Sequence, residues 1–91
     1  GIFLIKPQFE VGKEYVSKGG VVKEFKYHLL ALNSVIRAIE SSNWRINGLI
    51  ASPLVGPAGN HEYLIWISKT QLNEFLVNEE FLHKLVKRTL S

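Results

Sequence analysis

The chain opens Gly-Ile-Phe-Leu-Ile, an unbroken apolar run that Lys6 and Pro7 end. A half-exposed strand alternates apolar and polar side chains, and this run does not, so residues 1–6 read as a strand buried on both faces. Proline stops it, because it lacks the N–H that a strand ladder needs. A chain of 91 residues makes one small domain, and such a domain buries roughly 60–65% of its unfolded surface. A strand that needs cover on both faces therefore asks for more helices than this length supplies. The chain also contains no Met. Together these features lead us to expect a piece of a longer protein, cut within a domain.

The remaining apolar pattern supplies few elements. Residues 7–22 read as a long loop holding Pro7, Gly12, Gly19 and Gly20. Residues 23–42 read as a helix, since Phe25, Leu29, Leu32, Ile36 and Ile39 recur at steps of four and three and make one stripe. Ser41-Ser42-Asn43 ends it. Residues 44–52 read as a second strand, with Gly48 at a bulge or a close approach. Residues 61–69 read as a third strand, apolar on both faces beyond Glu62 and so covered on both sides. The short 53–60 connection makes an antiparallel hairpin of these two strands. The first strand and the second, joined through a helix, imply a parallel crossover. Residues 70–90 read as a tail of two short helices broken near Asn78, with Asn78-Glu79-Glu80 as a cap and an acidic first turn. This order is the second half of a doubly wound α/β sheet with one antiparallel strand.

Composition removes several chemistries. There is no Cys, which excludes disulfides, thiolate metal sites and cysteine nucleophiles and fits a reducing cytoplasm. The chain has no Asp, so no Ser/His/Asp set exists, and His28, His61 and His83 lack metal-ligand spacing. No apolar run reaches the roughly 18–20 residues of a membrane span. Residues 1–7 do not read as a signal peptide, since no basic stretch precedes Ile2 and Lys6-Pro7 interrupts the apolar run. The net charge of +3 is spread along the chain, as on a solvated, mildly basic surface.

In an open α/β sheet, ligands sit beyond the carboxyl ends of the strands. Lys6 follows the first strand, and Glu62 opens the third at the same rim. A Lys there places an ammonium where charge develops, or serves as a base when burial or a cationic neighbour lowers its pKa. An ordinary exposed strand-end lysine fits the residues as well. Glu62 at the head of an apolar strand is costly unless paired, and Lys6 is the partner expected. Residues 52–62 concentrate Pro and Gly, either as a plain hairpin connection or as a rigid loop aiming Glu62. Residues 12–20 lack phosphate-loop spacing, and no dinucleotide fingerprint is present.

Residues 4–22, LIKPQFEVGKEYVSKGGVV, and 48–67, GLIASPLVGPAGNHEYLIWI, resemble the TlyA-type, hemolysin A-like ribosomal RNA methyltransferases. These are relatives of the FtsJ-like ribose 2′-O-methyltransferases. The resemblance covers residues 1–69 and leaves 70–91 as a helical tail. It implies the C-terminal half of a Rossmann-like, S-adenosylmethionine-dependent methyltransferase fold, a β-α-β-β hairpin unit plus a C-terminal helix. It also implies methylation of ribosomal RNA, free or in ribosomal subunits. Of the family's Lys-Asp-Lys-Glu set, Lys6 would stand at the second Lys and Glu62 at the Glu. Lys13 and Lys18 would contact RNA. Gly19, Gly20, Pro53, Gly56, Pro57, Gly59 and Asn60 would shape the loops. The family's glycine-rich cofactor motif, its first Lys and its Asp are absent, so the resemblance gives S-adenosylmethionine no binding residues here and predicts a piece inactive alone. A membrane-active hemolysin, after the family's older name, and a non-catalytic interaction module are the competing readings. The tail mixes Glu79 and Glu80 with Lys84, Lys87 and Arg88, which suits a docking or dimerisation element better than a lytic helix. An uncovered first strand further predicts a homodimer, through its free edge or through the tail helix.

Overall fold

The computed structural model describes residues 1–17 and 19–91, with Pro57 described by its backbone. Its strands are β1 (Ile2–Ile5), β2 (Arg45–Ala51) and β3 (Tyr63–Ser68), and its helices α1 (Pro7–Glu10), α2 (Phe25–Ser41) and α3 (Glu79–Leu90). The strands form one sheet in the order β1-β3-β2, with both pairings antiparallel. The crossover through α2 does bring β2 back parallel to β1, but the two never pair. β3, the most continuously apolar run after β1, takes the central place, where backbone groups on both its edges are satisfied. The hairpin expected of the second and third strands is present.

The helical stripe of α2 packs on one face of the sheet. Leu32 and Ile36 meet Ile5, Ile46, Leu49, Tyr63, Ile65 and Ile67, and α3 adds Leu82, Leu85 and Val86. A buried side chain of this size stabilises by about 1.5–3 kcal/mol. The apolar face of α3 is thus used within the fold, and no described helix is long and apolar enough to cross a membrane. α2 stops where Asn43 enters the left-handed region at φ 64°, which Asn tolerates, and Ser42 Oγ donates to the Ile39 carbonyl.

The other face of the sheet corrects the expectation of cover on both sides. Register stacks Ile2, Trp66 and Gly48 in one row and Leu4, Leu64 and Ile50 in the next. Ile2 is 69% exposed and Ile50 57%. Two helices suffice for one face only.

The long loop and the tail also differ from the sequence reading. Pro7 occupies the first turn of α1, where its missing N–H is no loss, and a 3-10 turn follows at Lys13–Tyr15. Only the second of the two expected tail helices forms. Its cap is the one expected: Asn78 Oδ1 accepts from the Phe81 N–H at 2.8 Å. Residues 71–73 are instead held by Asn47. The register slips between Ile46 and Gly48, so Asn47 is the extra residue of a bulge and turns inward beside Ile46. Its Oδ1 accepts from the N–H of Leu72 (2.8 Å) and of Asn73 (3.1 Å), and its Nδ2 donates to Ser68 Oγ (2.7 Å). A helix through 71–73 would forfeit these bonds. Asn47→Ala leaves several of them without a partner, and urea unfolding is expected to show a loss of about 2–3 kcal/mol. An unchanged midpoint would show that Asn47 does not hold this segment.

Candidate active site

The pairing of Ile5 with Tyr63, and of Tyr63 with Ala51, aligns three strand ends. One step further along lie Lys6, Glu62 and Ser52, whose N–H donates to the Glu62 carbonyl at 2.8 Å. Lys6 and Glu62 therefore share a rim, as the sequence implied. They do not form the expected ion pair. Glu62 is buried, and Gln8 Nε2 donates to its Oε2 at 2.7 Å. Lys6 is half-buried and its Nζ lies 5.5 Å from the centroid of the Phe9 ring. α1 explains the exchange of partners. Its single turn begins at Pro7, accepts two N–H groups on the Lys6 carbonyl, and swings Gln8 to the carboxylate. Gln8 Oε1 is buried and has no hydrogen-bond partner.

The loop before β3 seats Glu62 closely. A Cβ at Gly56 would collide with the Glu62 carboxyl group, so any larger residue there must displace that carboxylate. Gly56 donates to the Asn60 carbonyl at 2.7 Å, and Gly59 donates back to Gly56 at 3.2 Å. Pro53 is exposed at the start of this loop, and Pro57 falls in its 3-10 turn.

Asn60 joins this loop to the glycine pair. It is buried, accepts from the Val22 N–H at 2.9 Å and donates to the Gly20 carbonyl at 2.7 Å. Gly19 and Gly20 have φ of 94° and 81°, which other residues avoid, so this turn requires them. Lys13 is exposed on the 3-10 turn, and Lys18 lies outside the described residues.

Sequence reasoning missed His28. It lies fully buried on α2 with Nε2 2.9 Å from the Val22 carbonyl and Nδ1 2.8 Å from the Tyr63 hydroxyl. A carbonyl only accepts, so Nε2 carries the proton and Nδ1 accepts from Tyr63. Burial pushes the Tyr63 phenol up to about 12, against a smaller lowering influence of Thr89, so it remains a donor. The available signal was a polar residue beside the apolar stripe of the helix. His28, Val22 and Asn60 thus tie α2, the glycine turn and the Glu62 loop into one unit.

Among the described residues, no group of His and Glu has the geometry to hold a metal. Nor do the described residues fit S-adenosylmethionine. The strand ends hold Lys6, Ser52 and a buried Glu62, β1 runs into α1 without a glycine turn, and no acidic strand end is free to take ribose hydroxyls.

A family model described as FtsJ-like methyltransferase matches residues 2–69. The 16S/23S rRNA (cytidine-2′-O)-methyltransferase TlyA of Mycobacterium tuberculosis is 41% identical over 88 residues, covering 97% of this chain and 32% of that protein. A solved structure from Streptococcus thermophilus that carries the hemolysin name superposes with a TM-score of 0.83 at 31% identity, covering 97% of this chain and 31% of that one. One from Lactococcus lactis with the same name gives 0.82 at 30% identity, covering 96% and 41%. The chain thus spans about a third of the length of the curated relatives it matches.

Burial holds the pKa of His28 below its ordinary 6.5, the Val22 hydrogen bond opposing and the charge of His61 assisting. The folded state therefore keeps His28 neutral where the unfolded chain already takes a proton. This contribution to stability is complete above pH 6.5 and is lost as pH falls from 6.5 towards the lowered value. Thermal unfolding is expected to show a Tm that falls as pH drops below 6.5, and His28→Gln to flatten that slope. An equal slope in the variant would remove His28 as its source.

Proposed function

Because the chain belongs to the FtsJ-like methyltransferase family, we propose that its protein transfers a methyl group to a ribose 2′-hydroxyl of ribosomal RNA, with Lys6 and Glu62 at the reacting site. The observation that carries this reading is the shared rim, where a half-buried Lys6 and a buried, seated Glu62 flank the paired strand ends Ile5 and Tyr63. Family membership implies S-adenosylmethionine as methyl donor in general. Lys6 Nζ would donate a hydrogen bond to the 2′-hydroxyl oxygen and stabilise the negative charge that grows on it as its proton passes to water. Glu62, held by Gln8 and by the bare backbone of Gly56, would fix the direction and charge of the site from beneath. The residues described here would supply the acceptor side of the reaction. We take residues 1–69 as part of the methyltransferase domain and 70–91 as an element appended to it.

The test is methyl transfer from labelled S-adenosylmethionine to ribosomal RNA or ribosomal subunits, using the protein isolated from its own cells. Lys6→Ala and Glu62→Gln are each expected to lower kcat by about a hundredfold or more, the scale of a lost charge-stabilising group. Normal turnover in both variants would dismiss the assignment. Gly56→Ala, which drives a methyl group into the carboxyl group, is expected to lower kcat as Glu62→Gln does. The partner on this reading is ribosomal RNA or the ribosomal subunit, in the cytoplasm. A homodimer across the open sheet is a separate proposal. Its check is whether the sedimentation coefficient of this chain rises with concentration.

A further inference from the structure

A second cluster lies apart from Lys6 and Glu62. The rings of Tyr15 and Tyr27 stack with centroids 4.5 Å apart and planes 22° from parallel. Lys26 Nζ stands 5.1 Å from the Tyr27 centroid, and Lys13 lies on the same 3-10 turn as Tyr15. Lys13, Lys26 and Tyr15 are exposed, and among the described residues neither lysine makes an ion pair. Glu14, between Lys13 and Tyr15, turns back over Gly12, where a Cβ would meet its carboxyl group at 2.7 Å.

The pair is firmly based. Val11, Val22 and Ala31 form a small second core, against which Val16 and Tyr27 pack. Val22 is in turn the residue held by Asn60 and His28. The tyrosines therefore stand on the same packed unit that positions the Glu62 loop. A fixed, solvent-facing aromatic ring with unpaired ammonium groups beside it has the elements of a single-strand site. The ring stacks on a base, and the cations follow the phosphates.

We propose that Tyr15, backed by Tyr27 and flanked by Lys13 and Lys26, is a stacking platform for a base of single-stranded RNA. The proposal deepens the RNA-methylation reading and rests on it for the choice of polymer. Stacking needs a π-face and no hydrogen-bond code, so the platform holds a strand without reading its sequence. Its role is to hold the strand next to the target nucleotide, while Lys6 acts on the hydroxyl.

The measurement is fluorescence anisotropy of this chain with a labelled oligocytidine, with an abasic oligomer of the same length, and with an RNA duplex. The oligocytidine is expected to bind tighter than either of the others. Tyr15→Leu should weaken its binding about tenfold, whereas Tyr15→Phe and Tyr15→Trp keep it. Lys13→Ala and Lys26→Ala should weaken it less and reduce its salt dependence. Should Tyr15→Leu fail to fold in a thermal melt, the abasic comparison decides. Equal binding of abasic and base-bearing strands, no binding of RNA at all, or full binding by a folded Tyr15→Leu chain would each overturn the platform. Normal turnover in the Lys6 and Glu62 variants would instead defeat the catalytic reading and leave this binding measurement untouched.

Discussion

The position of β3 between β1 and β2 is the constraint on which the rest depends. An antiparallel strand paired on both edges fixes two registers at once. Ile5 and Ala51 are both set against Tyr63, so the chain segments that follow them must meet the residue before it. That residue is Glu62. Ser52 comes to it through a backbone hydrogen bond and Lys6 through the pairing of Ile5 with Tyr63, whatever their side chains later do. A slip of one position in either pairing would send the buried set of Tyr63, Ile65 and Ile67 to the open face, which makes the register expensive to change.

Buried polar side chains do the work that a thin core cannot. Asn47 fastens 71–73 to the far end of the sheet, Asn60 fastens the glycine turn to the Glu62 loop, and His28 fastens that turn to β3. Each joins segments distant in sequence, and each satisfies backbone groups that would otherwise be stranded among apolar neighbours. Gln8 departs from this pattern. One end of its amide holds Glu62, while the other is enclosed without a donor.

Periodicity carried the parts of the fold that periodicity can encode. The stripe from Phe25 to Ile39, the apolar runs of the strands, the hairpin and the Asn78 cap were all readable from spacing. The rim shared by Lys6 and Glu62 followed from strand direction. Strand order did not, because a repeat of two says which face a residue takes and nothing about its neighbour in the sheet. The start of the tail reads as helix because Leu72, Phe75 and Leu76 cluster, and the distant Asn47, with Gln71 bonded to the Ile46 carbonyl, opposes that preference. The Lys6–Glu62 ion pair was inferred from opposite charge at one rim. Gln8 displaced it, through the geometry of a one-turn helix that Pro7 starts. His28 was seen as a residue beside the stripe, but its two partners come from a loop and a strand that no local pattern connects to it.

Gly56 carries a consequence for entropy. A glutamate side chain has three rotatable bonds, and in a spacious site their freedom is surrendered when substrate arrives. Here the bare backbone of Gly56 closes on the carboxyl group and Gln8 holds it from the other side. The rotamer is thus chosen as the chain folds. Ordering the carboxylate becomes a charge on the stability of the folded state and leaves less freedom to be lost when a ligand reaches the rim.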